Sequence, residues 1–162
     1  MKRIRAVALD VDGVLTDGSF YWNATADELK RFCFRDIMGL SLGMKAGIIF
    51  VLVSGEDSPI IDRFARKMSI VDVYKGCKDK ASVLRTFAGK RGLDLAEICF
   101  MGDDVNDLGA MELAGFSAAP ADAHEMARES AKFVTKLSGG NGAVRELIDF
   151  LLSDRNEENN SK

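Results

Sequence analysis

Three apolar runs of strand length constrain this chain more than any other feature: residues 4–9 (IRAVAL), 48–53 (IIFVLV) and 97–101 (EICFM). Their apolar residues are nearly continuous rather than alternating, which is the pattern of strands covered on both faces. Residues 70–73 (IVDV) and 115–118 (GFSA) read as weaker strands of the same kind. Amphipathic helices fall between them. Ile37, Leu40 and Met44 have helical spacing, and Gly47 supplies a stop. Ser58-Pro59 is a helix start, a capping hydroxyl followed by proline at the first helical position. Ile60, Ile61, Phe64, Ala65 and Met68 then share one face, and Ala81, Val83, Leu84, Phe87 and Ala88 share another before Gly92. Asp122 with Glu125 has the spacing of a capping box. Val144, Leu147, Ile148 and Leu151 mark a last helix.

Strands alternating with helices imply a Rossmann-like three-layer α/β sandwich with a mainly parallel sheet. One stretch breaks the rhythm. Residues 18–34 hold two short extended runs, 19–22 and 30–34, around a polar turn, and read as a β-hairpin inserted after the first strand. With 162 residues the chain suits one domain, here 1–152, followed by a polar tail at 153–162 expected to fray.

A net charge of −3 gives no reason to expect nucleic acid or an anionic membrane as partner, so an anionic substrate must be held by local groups. No apolar run approaches the roughly 20 residues that span a bilayer. Cys33, Cys77 and Cys99 are odd in number and widely spaced, which reads as reduced cytoplasmic thiols rather than a disulfide or zinc framework. His124 is the only histidine, so acid–base chemistry falls to carboxylates.

Those carboxylates gather where strands end. Asp10 and Asp12 close the first strand two residues apart, on one face, and repel each other unless a cation lies near. Gly13 lets the chain turn sharply away. Asp103, Asp104 and Asp107, with Asn106 among them, follow the strand at 97–101. Helix capping accounts for one acid there, not three. Such a cluster at one sheet edge suits a hard divalent cation such as Mg2+. Ser54-Gly55 ends the middle strand with a hydroxyl and free backbone N–H groups fit for phosphoryl oxygens. Lys80, at a helix start, adds a positive charge.

In this order and on alternating strands, Asp10-x-Asp12-Gly13-Val14, Ser54, Lys80 and Gly102-Asp103-Asp104-x-x-Asp107 resemble the haloacid-dehalogenase-type phosphatases. Asp12-Gly13-Val14-Leu15-Thr16-Asp17-Gly18, the hairpin, Arg35-Asp36 and the segment from Ser138 to Glu146 are similar to the 3-deoxy-manno-octulosonate 8-phosphate phosphatases. That resemblance implies no separate cap domain, a homotetramer joined through its hairpins, and a flexible glycine-rich segment at 138–142 near a neighbour's site; on the residues alone, 138–142 is a simple loop. It implies Asp10 as nucleophile, Asp12 as acid and base, and Ser54, Gly55 and Lys80 as phosphate contacts. It implies a metal held by Asp10, Asp103 and the backbone carbonyl of Asp12, with Asp104 and Asp107 behind them. Thr16, Asp17, Arg35, Asn106 and Arg145 become candidate sugar or carboxylate contacts.

Two departures concern the sugar. Asp36-Ile37-Met38-Gly39 stands where the octulosonate enzymes often have Asp-Gly-x-Gly, and Glu56 stands where they often carry arginine. Glu56 with Lys67 is similar to relatives acting on nine-carbon, sialic-acid-type 9-phosphates, and to the phosphatase-like region of some cytidylyltransferases. Three rivals stand beside the phosphatase. A receiver domain would place its phosphate-accepting aspartate after the middle strand, where this chain has Ser54. A non-catalytic oligomerisation domain would not need the full acid set. A phosphotransferase would pass the phosphoryl group to a sugar rather than to water.

Overall fold

The fold was described from a computed structural model covering residues 3–25 and 27–160, with side chains through Asp154. Strand β1 (Ala6–Leu9) is followed by a two-stranded antiparallel hairpin, β2 (Tyr21–Trp22) with β3 (Glu28–Leu29). Then come α1 (Phe34–Lys45), β4 (Ile49–Val53), α2 (Pro59–Met68), β5 (Asp72–Tyr74) and α3 (Lys80–Arg91). The rest of the chain adds β6 (Ile98–Met101), α4 (Leu108–Leu113), β7 (Phe116–Ala119), α5 (Glu125–Ser130), β8 (Phe133–Val134) and α6 (Ala143–Asn160).

Six strands form one sheet in the order β5-β4-β1-β6-β7-β8, every neighbouring pair parallel. The period-2 geometry of β1 splits the core in two. Val7 and Leu9 join Leu40, Ile61, Phe64, Leu147 and Ile148 on the face covered by α1, α2 and α6. Ala6 and Ala8 join Leu84, Phe87, Met111 and Ala127 on the face covered by α3, α4 and α5. Each large side chain so buried contributes about 1.5–3 kcal/mol. The strand order reverses at β1, between β4 and β6, and the crevice at a reversal is where such sheets bind ligands.

The caps at α2 and α3 follow the sequence pattern. The Ser58 hydroxyl accepts from Ile60 N–H, and Gly92 closes α3 in the left-handed region. Helices α1 and α6 lie close together because a β-carbon on Gly39 would stand 2.8 Å from Arg145 Cα. Buried Asp36 caps α6, accepting from Gly142 N–H at 3.1 Å and Arg145 N–H at 2.9 Å.

Two expectations change. The hairpin's second arm pairs at Glu28–Leu29, before residues 30–34, and only an isolated bridge from Thr16 to Phe32 extends it. His124, not Asp122, caps α5, while Asp122 accepts from Gly139 N–H at 2.9 Å. Strand β8 is two residues long, too short for a periodic signal. Helix α6 runs on through residues 153–160, and residues 161–162 lie outside the described part.

Candidate active site

Strand β1 delivers Asp10 to the sheet's C-terminal edge, where its N–H donates to Met101 O across the pairing with β6. Beyond Asp10 the chain turns at once. Leu15 and Thr16 N–H both donate to Val11 O, and Gly13 takes φ +83°. From β6 the loop 102–107 approaches the same point. Asp107 is fully buried and holds that loop from within, its Oδ2 accepting from Asp103 N–H at 2.9 Å. Its Oδ1 accepts from Lys80 Nζ at 2.6 Å.

Lys80, the first residue of α3, is 2% exposed. Its ammonium lies 3.0 Å from Asp10 Oδ2 as well as against Asp107. Burial opposes its charge, but Asp10 and Asp107 outweigh burial and raise its pKa above the usual lysine value. The carboxylates show the opposite strain. Burial, then the Asp107 charge, raises Asp10 well above the ordinary carboxylate range despite Lys80. Asp103 is pushed up to about 6 by burial and Asp107.

Oxygens of Asp10, Asp103 and Asp107 all lie within 4.8 Å of one another. Three carboxylates face one ammonium there, an excess of negative charge that a divalent cation neutralises. The donors are all oxygens, which suits Mg2+ rather than a thiolate- or imidazole-seeking metal. The residues therefore fit the metal implied by the sequence.

A cleft of about 240 Å³ opens above the cluster. Asp10, Asp12, Asp103 and Lys80 line it, as do Ser54 and Gly55 from the end of β4 and Glu56, Asp104 and Asn106 at its rim. Ser54 is buried, its Oγ accepting from Glu56 N–H at 3.1 Å, so its proton remains free for an anion in the cleft.

Other designated residues sit elsewhere. Thr16 is fully buried, and its Oγ1 accepts from Gly13 N–H at 3.3 Å and Gly18 N–H at 3.2 Å, which braces the loop. Asp17 accepts from Ser19 N–H. Arg145 donates to Asp149, and Arg35 is exposed beside Gly142. Lys67 lines a separate cavity between the hairpin and α2, together with Arg63 and Lys30, so Glu56 and Lys67 do not share a cleft within one chain. The glycine-rich segment 138–142 is the loop before α6, and it packs against the turn after β1. A β-carbon on Gly139 would stand 1.8 Å from Gly13 O, and Gly140 N–H donates to Val14 O at 3.0 Å.

Sequence reasoning missed Lys30. Its Nζ donates to both oxygens of Asp12, at 2.6 and 2.7 Å, and lies 3.3 Å from Glu28 Oε1. The carboxylate of Asp12 thus faces the hairpin rather than the acid cluster. A Glu-x-Lys spacing in a strand puts both side chains on one face, which was a signal for a pair, though not for its target.

The fold and this cleft define a hard-cation centre of the kind that handles phosphoryl groups. A profile of the haloacid dehalogenase-like hydrolases matches residues 54–147. The 3-deoxy-D-manno-octulosonate 8-phosphate phosphatase of Salmonella typhi is 35% identical over 151 residues, 93% of this chain and 80% of that one. The crystal structure of the Moraxella catarrhalis phosphatase of that name, in complex with magnesium, phosphate and KDO, superposes with a TM-score of 0.91 at 36% identity, covering 94% of this chain and 87% of that one. The cobalt-bound phosphatase from Haemophilus influenzae gives 0.90 at 34% identity, covering 93% and 88%. The chain belongs to the haloacid dehalogenase-like hydrolases.

Proposed function

We propose that this chain is a magnesium-dependent phosphatase that hydrolyses 3-deoxy-D-manno-octulosonate 8-phosphate. The observation that carries the reading is the meeting of Asp10, Asp103 and Asp107 around Lys80 at the sheet's switch point. Relatives named for this reaction, similar over nearly the whole chain, supply the substrate.

Asp10, Asp103 and the Asp12 backbone carbonyl would hold the metal, with Asp104 and Asp107 supporting them. When bound, Mg2+ offsets the negative charge that would otherwise keep a carboxylate and a phosphate dianion apart. Asp10 attacks phosphorus, the bond to the sugar oxygen breaks, and Asp12 gives that oxygen a proton. Water then attacks the phosphorus of the aspartyl-phosphate while Asp12 takes its proton back, which frees phosphate and Asp10. Ser54, Gly55 N–H and Lys80 face the phosphoryl oxygens where transition-state charge spreads.

The chain works as a homotetramer packed through its hairpins. In support, Phe20, Tyr21, Trp22 and Leu29 are all more than half exposed there, an apolar patch of the sort that marks an interface. Arg35, Arg145 and Lys67 reach a sugar acid only if a neighbouring copy brings its cleft to them. Among the described residues no helix is long and apolar enough to cross a membrane. The three cysteines are free, which supports a reducing compartment, the cytoplasm.

The test is hydrolysis of eight-carbon and nine-carbon 2-keto-3-deoxy acid phosphates with and without Mg2+, repeated on Glu56→Arg. The eight-carbon ester is the better substrate on this reading; a nine-carbon preference that Glu56→Arg reverses would reassign the sugar and name Glu56 as its selector.

A further inference from the structure

We propose that Lys30, carried by the inserted hairpin, is the positioning residue that aims the Asp12 carboxylate. The inference rests on the phosphatase reading but not on the identity of the sugar. The Lys30 side chain is 2% exposed and its ammonium spans both oxygens of Asp12. A contact to both oxygens holds the carboxylate end-on toward the ammonium and so sets the direction in which it points, where a contact to one leaves it free to swing aside. The remaining reach of the ammonium goes to Glu28, whose Oε2 accepts from the Ser58 hydroxyl at 2.7 Å. Ser58 is the cap of α2 and is itself buried. A continuous chain of polar contacts therefore runs from the sheet's helical layer through the hairpin to Asp12.

An ion pair placed for stability alone would have no reason to take a carboxylate that lines the phosphoryl cleft. The Asp12 side chain keeps 28% of its surface exposed there, while Lys30 is shut away behind it. The other contact to Asp12, from Thr16 Oγ1, is 3.4 Å long and reaches the same oxygen as one of the lysine's bonds. Lys30 is thus the main group that sets where the Asp12 oxygens point. The hairpin becomes part of the catalytic apparatus rather than an appendage.

An acid that is badly aimed matters only when the leaving oxygen needs its proton. The experiment compares kcat/KM of wild type and Lys30→Met, with Mg2+, on an alkyl phosphate and on p-nitrophenyl phosphate, whose leaving group departs unprotonated. We expect a loss on the order of 100-fold for the alkyl ester, the scale of general acid catalysis, and a loss below about tenfold for the aryl ester. Lys30→Arg, which keeps a charge able to span both oxygens, recovers most of the alkyl activity. Adding Lys30→Met to Asp12→Asn brings no further alkyl loss, as expected when one residue acts through the other. The same ratio read on Lys30→Gln covers a Met variant that fails to fold. Equal losses on the two esters, or additive losses in the double variant, overturn the inference while leaving an active phosphatase. A wild type inactive on both esters and on the eight- and nine-carbon sugar-acid phosphates removes the phosphatase reading and this inference with it.

Discussion

Gly13 makes room for Asp103: a β-carbon on Gly13 would stand 1.9 Å from Asp103 Oδ2. The loops after β1 and β6 therefore meet with nothing between them but the space a side chain would fill. Gly102 does the same for Asp107, its β-carbon position lying 2.4 Å from Asp107 Cβ. The acids converge because glycines let the backbones approach.

Gly13→Ala should cost metal binding before it costs the fold. The new methyl group collides with a metal-holding carboxylate and also meets a backbone at φ +83° that L residues rarely adopt. Mg2+ affinity by calorimetry should fall at least about tenfold, or about 1.4 kcal/mol. An unchanged affinity would show that Asp103 is not held where it is described.

Two glycine-to-alanine changes should have opposite signs. Gly89 lies inside α3 and, beyond its own helix backbone, no described heavy atom stands within 4 Å of its β-carbon position, so Gly89→Ala should stabilise by about 0.5–1 kcal/mol. Gly139→Ala drives a β-carbon to 1.8 Å from Gly13 O and should lower both melting temperature and turnover, because it pushes on the loop that carries Asp12. Thermal melts and steady-state rates on the two variants check this directly.

Asp10→Asn and Ser54→Ala separate a nucleophile from a donor. The first should abolish turnover. The second removes one stabilising contact, worth about 2.7–4 kcal/mol, and should leave activity measurable at about 10² to 10³ below wild type. Equal, mild losses would contradict both roles.

Stabilisation by Mg2+ should grow with pH. Asp103, pushed up to about 6, and Asp10, also raised, bind protons in the folded metal-free chain at pH values where the unfolded chain has released them. The metal-free fold therefore loses stability as pH rises from about 4 through about 6, while the metal binds the ionised carboxylates. Melting temperatures in EDTA and in saturating Mg2+ should differ little at pH 5 and most above pH 7. The same difference at both would mean that these acids do not hold the metal.

The sheet was legible because its strands are continuous apolar runs, and the acid clusters because they follow those runs directly. Ser54, Asp10 and Asp103 could be named from residue type and position in an alternating pattern, while Lys80 stood out only through the resemblance to a known family. Contacts between distant segments could not. Lys30 meets Asp12 across 18 positions, and nothing in a short polar hairpin marks which carboxylate its lysine will reach. Gly139 and Gly13 are farther apart still, and a glycine-rich run reads as freedom until the backbone it must touch is known. Asp122 was misread because its spacing to Glu125 fits a cap, while its carboxylate is taken by Gly139 N–H.

The most direct measurement is of Asp10 itself. Enzyme quenched during turnover of a phosphate ester and reduced with borohydride converts an aspartyl-phosphate to homoserine, which peptide mass spectrometry locates. The mechanism predicts homoserine at residue 10 in wild type and none in Asp10→Asn. Reduction at another carboxylate, or none at all when an Asp12→Asn variant is given p-nitrophenyl phosphate, whose leaving group needs no acid and whose intermediate then awaits its base, would contradict it.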